Sequence, residues 1–201
     1  MVEAVADTTG LDTARDLLAV ELAGRFAVHP PWLEPPPGHD AIEIDPGHAF
    51  GSGSHPSTRL ALELLGARAP TPRTVFDIGC GTGVLAIAAA RLGARVTAVD
   101  TDPAAVAATR ANAIRNGVGD RIDVALASAG HLAEAADLVT VNVTIDIHET
   151  VAPSLADAHR SLIVAGVLGR DQLRRAAAAY GATIADPLAD DGWMAAVLTR
   201  P

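Results

Sequence analysis

The sequence predicts an α/β protein with a doubly wound, mostly parallel sheet and an antiparallel final strand. Three observations carry this. From Thr74 onward, short runs rich in Val and Ile alternate with Ala- and Leu-rich stretches at helical spacing, the pattern of a parallel sheet covered on both faces. The first of these strands runs into Gly79-Cys80-Gly81-Thr82-Gly83, which sets glycine at alternate positions between a strand and a helix. The last two strands are joined only by Pro187 to Asp191, a link with no room for a helix, so they pair antiparallel.

Taken in order, residues 1–40 are expected to form a leading segment and residues 41–201 the main domain. Leu11, Ala14, Leu17, Leu18, Leu22 and Phe26 recur at helical spacing and predict an amphipathic helix from Leu11 to Phe26. Val28 to His39 carries Pro30, Pro31, Pro35, Pro36 and Pro37 around one large anchor, Trp32, and reads as an extended linker. Ala41 to Ile44 reads as a short strand. The stretch Asp45 to Thr58 is polar and glycine-rich, which marks a ligand-contacting loop, and it opens a helix over 58–67 that packs through Leu60, Leu62, Leu64 and Leu65. Strands follow at 74–79, 95–99, 122–126, 137–143 and 161–165, with weaker ones near 182–186 and 192–199. Helices are expected at 83–92, 103–116, 146–158 and 170–180. The helix at 103–116 has the clearest boundaries: Asp102 caps it, Pro103 suits its first position and Asn116-Gly117 stops it.

Composition narrows the function. At 201 residues and 49% hydrophobic, the chain suffices for one domain with a full core. The net charge is −9, and residues 1–45 hold most of it, with nine acids against two arginines. No basic run is present, which argues against a nucleic-acid partner. No apolar run is long enough to span a bilayer, and no basic segment followed by an apolar stretch opens the chain. A single cysteine, Cys80, fits a reducing compartment, so a cytoplasmic location is expected. The chain contains no lysine.

The candidate site lies where such a sheet binds ligands, off the carboxyl ends of its strands. Gly79, Gly81 and Gly83 allow a backbone to approach a ligand closely. Asp100, 21 residues beyond Gly79, ends the second strand and is placed to accept from ribose hydroxyls. Asn142 ends the fourth strand and offers both a donor and an acceptor. The turn also fits a dinucleotide fingerprint as Gly81-x-Gly83-x-x-Ala86, so an NAD-type or flavin module competes. Asp77, immediately before the turn, would repel a diphosphate. It suits S-adenosyl-L-methionine, which carries an ammonium, a sulfonium and a ribose but no phosphate. His48 and His55 match no metal-ligand spacing and are read as structural, no metal being expected. Asp146, His148 and Glu149 are read as the first turn of a helix.

Residues 42–58, Ile-Glu-Ile-Asp-Pro-Gly-His-Ala-Phe-Gly-Ser-Gly-Ser-His-Pro-Ser-Thr, resemble the signature loop of the PrmA family, and Asp77 to Ala90 continues the resemblance. It covers about residues 27–200 and reaches weakly to Trp193. It implies a Rossmann-like class I methyltransferase fold with S-adenosyl-L-methionine as cofactor, acting on amino groups of large-subunit ribosomal protein eleven. It also places Thr58, Gly79, Asp100 and Asn142 on the family's cofactor positions. The sequence departs from the family in several places. The family's separate N-terminal recognition domain has no counterpart in the leading forty residues. His48 stands where an apolar residue is usual, Asn142-Val143-Thr144 replaces Asn-Ile-Leu, and Ala127-Ser128 replaces an acid often found after the third strand. The acceptor expected is therefore a protein amino group or, given the short leading segment, a small molecule. Asn142 is expected to orient it while the loop around Phe50 closes over the cofactor.

Overall fold

The computed structural model describes residues 21–45, 53–68, 71–131, 135–155 and 161–199. Its main sheet contains β4 (Thr74–Ile78), β5 (Arg95–Asp100), β6 (Ile122–Leu126), β7 (Leu138–Asn142), β8 (Ser161–Leu168), β9 (Thr183–Asp190) and β10 (Trp193–Thr199). The strand order is β6-β5-β4-β7-β8-β10-β9. The first five run parallel, and β10 is antiparallel to both β8 and β9 as expected, although Pro187–Asp190 belong to β9 and the link is only Asp191-Gly192. The order reverses between β4 and β7, which opens a crevice at their carboxyl ends.

Successive residues of each strand serve opposite faces. On one face Val75, Val96, Ile163 and Val197 pack with α1 (Pro56–Gly66) and α2 (Val84–Arg91), together with Ala113 of α3 (Pro103–Arg115). On the other, Phe76, Ile78, Val141 and Val164 pack with α4 (Ile145–Val151) and α5 (Gly169–Ala179). The sheet is thus covered on both sides, the doubly wound arrangement. Each fully buried Leu, Ile or Val contributes roughly 1.5–3 kcal/mol relative to exposure. Asp102 caps α3 by accepting from the Ala104 amide at 2.8 Å, as read from the sequence.

The leading region differs from expectation. Residues 11–20 of the predicted helix lie outside the described residues, but its last six are not helical. Glu21–Ala23 forms β1 and Phe26–His29 forms β2, an antiparallel hairpin closed by Gly24-Arg25. Gly24 has φ of 59°, which suits the first position of a two-residue hairpin turn and ends helical propagation. The predicted linker begins only after His29, because Phe26 and Val28 are buried core residues. β2 pairs in parallel with β3 (Asp40–Glu43), so one small sheet draws on both sides of the boundary expected at residue 40. Asn112 of α3 and Asn116, the C-cap of that helix, bind β3 and its extension. Asn116 accepts from the Glu43 amide at 3.0 Å and donates to its carbonyl at 2.7 Å, and Asn112 accepts from the Asp45 amide at 3.0 Å.

Candidate active site

The crevice holds a cavity of about 530 Å³, and Thr58, Asp77, Gly79, Gly81, Asp100 and Asn142 all line it. Six of the seven sequence-predicted residues thus converge. The seventh, Gly83, is not in the cavity wall. Its φ of 86° places it as the left-handed N-cap of α2, and a Cβ there would lie 2.8 Å from Thr109 Cγ2. It serves the packing of α3 against the turn.

At the cradle end, Gly79 and Gly81 take φ of 71° and 56°, where a side chain is strained. The Gly79 and Cys80 amides both donate to Val99 O, at 2.9 and 3.1 Å, which folds the turn over the end of β5. Asp100 Oδ2 accepts from the Gly81 amide at 3.0 Å and Oδ1 from the Asp102 amide at 3.0 Å. The carboxylate is therefore fixed while retaining acceptor capacity on both oxygens. Asp77 is 2% exposed. Burial pushes its carboxyl up to about 6, with Asp100 adding to the rise, while the Thr140 hydroxyl, 2.7 Å from Oδ1, and the Ala86 amide hold it down. Burial, with Asp77 adding to it, pushes the Cys80 thiol up to about 12, so this side chain is an inert filler despite lining the cavity.

The other end is assembled from distant segments. Asn142 Nδ2 donates to Thr58 Oγ1 at 3.2 Å across 84 residues of sequence. Thr58 is fully buried near the start of α1, whose N-cap is His55, accepting through its ring from the Ser57 amide. The His55 ring meets Trp193 edge-on, with centroids 4.5 Å apart. Burial lowers the His55 pKa, and the Arg59 guanidinium lowers it further. Arg59 joins this corner together by donating to Ser54 O at 2.5 Å and to Asp190 at 2.6 Å. Ile147, Val151 and Trp193 give the wall an apolar character. His148, by contrast, is fully buried, with Nε2 on Ala165 O at 2.9 Å and Nδ1 3.0 Å from the Tyr180 hydroxyl. Burial lowers its pKa, and it braces α4 rather than facing the cavity.

The site thus joins a hydrogen-bonded polar cradle and a buried carboxylate to an apolar wall with one amide. Residues 12–201 match the family model described as ribosomal protein L11 methyltransferase (PrmA). The chain belongs to that family. It is 39% identical over 183 residues to the ribosomal protein L11 methyltransferase of Thiobacillus denitrificans, covering 87% of this chain and 60% of the relative. The protein of the same name from Dechloromonas aromatica is 40% identical over 189 residues, covering 90% and 62%. The chain therefore spans about 60% of the length of these relatives. A solved ribosomal protein L11 methylase from Lactobacillus delbrueckii subsp. bulgaricus superposes with a TM-score of 0.81 at 28% identity, covering 90% of this chain and 97% of that one. The fold of this PrmA-family chain is accordingly the Rossmann-like methyltransferase fold.

Several residues at the site were not visible to sequence reasoning. Thr140 and Thr109 are buried hydroxyls inside a strand and a helix, with no motif to mark them. Gly166 is a glycine inside an apolar strand, a known sign of close backbone approach. A Cβ there would lie 2.9 Å from the Val143 nitrogen and nearer still to its carbonyl oxygen. Phe50 and His48 lie outside the described residues. Among the described residues no group of three His, Cys, Asp or Glu side chains could hold a metal, and no helix is long and apolar enough to cross a membrane.

Proposed function

We propose that the protein is an S-adenosyl-L-methionine-dependent methyltransferase that modifies amino groups of a protein, with ribosomal protein L11, for which its relatives are named, as the leading substrate. A cytoplasmic location belongs to this reading. The observation that carries it is the charge of the cavity. Asp77 and Asp100 line it, no arginine does among the described residues, and the chain contains no lysine. A dinucleotide would bring its pyrophosphate beside the Asp77 carboxylate, which attracts a sulfonium or an ammonium instead, while Asp100 suits the ribose of either ligand.

In this reading Asp100 accepts from the ribose hydroxyls, the Gly79 and Gly81 backbone lies against the cofactor, and Asp77 supplies the counter-charge. Thr58 fixes Asn142 through Nδ2, which leaves Oδ1 to accept from the N–H of an acceptor amine. The bound cofactor supplies an activated methyl group on sulfur, so the protein's task is alignment. A lysine amine, with a pKa of about 10.4 in water, attacks only when neutral. The apolar wall of Ile147, Val151 and Trp193 favours that form by desolvation.

Calorimetric titration with S-adenosylhomocysteine and with NAD tests the cofactor, and binding of the first alone is expected. Incubating the purified protein and labelled S-adenosylmethionine with lysate of a strain lacking the enzyme tests the acceptor. Label in a ribosomal-protein band is expected. Label in a small metabolite would move the acceptor class, and NAD binding without S-adenosylhomocysteine would sink the proposal.

A further inference from the structure

The cradle's geometry is held from behind by a residue that does not touch the cavity. Thr109, fully buried in the second turn of α3, donates from Oγ1 to Gly81 O at 2.9 Å, with Cys80 Sγ 3.2 Å away. The Gly81 amide on the other side of the same residue is bound by Asp100 Oδ2 at 3.0 Å. The second oxygen of Asp100 is held by the Asp102 amide, and Asp102 caps α3. The contacts close a ring through Gly81, Asp100, Asp102, α3 and Thr109. One turn further along the same face, Asn112 donates to Thr82 O at 3.0 Å. The Thr109 side chain also fills the space that any Cβ at Gly83 would need, so helix and turn are in van der Waals contact.

We propose that Thr109 is a positioning residue of the cofactor cradle. Its hydroxyl fixes the Gly81–Thr82 peptide through the Gly81 carbonyl and, across the Gly81 Cα, the Gly81 amide that sets the direction in which Asp100 presents its carboxylate to the ribose. The proposal rests on the cavity binding a ribose-bearing methyl donor. The hydroxyl and the methyl of Thr109 have separable jobs: the hydroxyl orients the turn, and the methyl packs beside Gly83. A valine keeps the methyl and removes the hydrogen bond, and a serine does the reverse.

The test is calorimetric titration of S-adenosylhomocysteine into the wild type, Thr109→Val and Thr109→Ser, with the melting temperature of each and steady-state kinetics on the acceptor. For Thr109→Val the expected result is about tenfold weaker binding, the size of one lost hydrogen bond, and a matching rise in the cofactor KM. Its kcat at saturating cofactor should stay within about twofold, because the acceptor end is untouched. Thr109→Ser should melt lower yet bind within about twofold of the wild type. Crossed orders of stability and affinity support the proposal. Wild-type affinity in Thr109→Val overturns it, as does affinity that simply follows melting temperature across the three proteins. If the wild type itself does not bind S-adenosylhomocysteine, the methyl-donor reading fails first, which a failure of Thr109 alone would not produce.

Discussion

The two ends of the cavity are built in different ways. At the cradle end, Asp77, Gly79, Gly81 and Asp100 come from two adjacent parallel strands and the turn between β4 and α2, and their partners are largely backbone groups. At the opposite end, Thr58, Asn142, His55 and Trp193 come from α1, β7 and β10 and hold one another through side chains. A cradle made by consecutive chain is fixed once the local fold forms. A wall made from three distant elements depends on how those elements pack, and it has more freedom to diverge. The ends meet at Val143, whose side chain faces Gly79 and whose backbone faces Gly166.

That meeting point gives the largest predicted effect. A Cβ at residue 166 would collide with the Val143 backbone, which cannot swing aside, at a φ of 81°. Left-handed strain alone costs about 1–2 kcal/mol, and with the clash Gly166→Ala should lose about 3 kcal/mol or more of stability in urea unfolding. A Cβ at residue 79 instead meets a single methyl, Val143 Cγ1, at 2.8 Å. Val143→Ala should therefore restore part of the loss in Gly79→Ala and none in Gly166→Ala. Equal rescue of both would show that the ends do not divide at Val143.

Next in size is the division of labour between binding and turnover. Asn142→Ala should lower kcat about 10²-fold, the scale of lost alignment, and leave S-adenosylhomocysteine affinity within about twofold. Parallel losses in kcat and affinity would assign Asn142 to the cofactor alone and move the boundary between the two ends.

The same contrast explains what could be read from the chain. The cradle was legible because strand, glycine turn and acid lie in sequence order and the parallel sheet fixes their spacing. Even there Gly83 was grouped with the ligand-facing glycines, although its freedom serves a helix cap and contact with Thr109. Asn142 was legible from its place at a strand end, whereas Thr58 as a cofactor position came only from the family resemblance, since no periodicity links residues 84 apart. Thr140, Thr109 and Gly166 were missed because a hydroxyl or a glycine within a regular element acquires its partner only by tertiary packing. The hairpin at Glu21–His29 was hidden by leucines at helical spacing, and the signal that outweighed them was Gly24 before Phe26 and Val28.

At the cradle end, charge offers a third test. Asp77 is raised from 3.8 to about 6 in the folded protein, chiefly by burial. The folded state then binds its proton more tightly than the unfolded chain, so stability from this group is greatest below 3.8 and declines as pH rises to about 6. Cofactor binding runs the other way, because a cation favours the carboxylate. Affinity should fall by up to about tenfold per pH unit below about 6, with proton release on binding. Titrations between pH 5 and pH 8 check this, and Asp77→Asn should remove the dependence. A flat wild-type profile would mean that no ligand charge approaches Asp77.

The smallest effect expected lies at the opposite end, where His55 links the α1 cap to Trp193. His55→Ala should lose about 1 kcal/mol through the cap, and His55→Asn should keep the cap and lose the ring contact. Burial and Arg59 lower the His55 pKa from 6.5, so its contribution to stability is present above 6.5 and declines as pH falls below that value. The stability gap between wild type and His55→Asn should therefore narrow in acid. The gap between wild type and Asp77→Asn should shift in favour of the variant as pH rises from 3.8 toward 6. Two opposite pH slopes, each removed by its own substitution, are what independently built ends require. A single substitution that flattens both would show that Asp77 and His55 titrate as one network through Val143, and the cavity would then have to be treated as one unit.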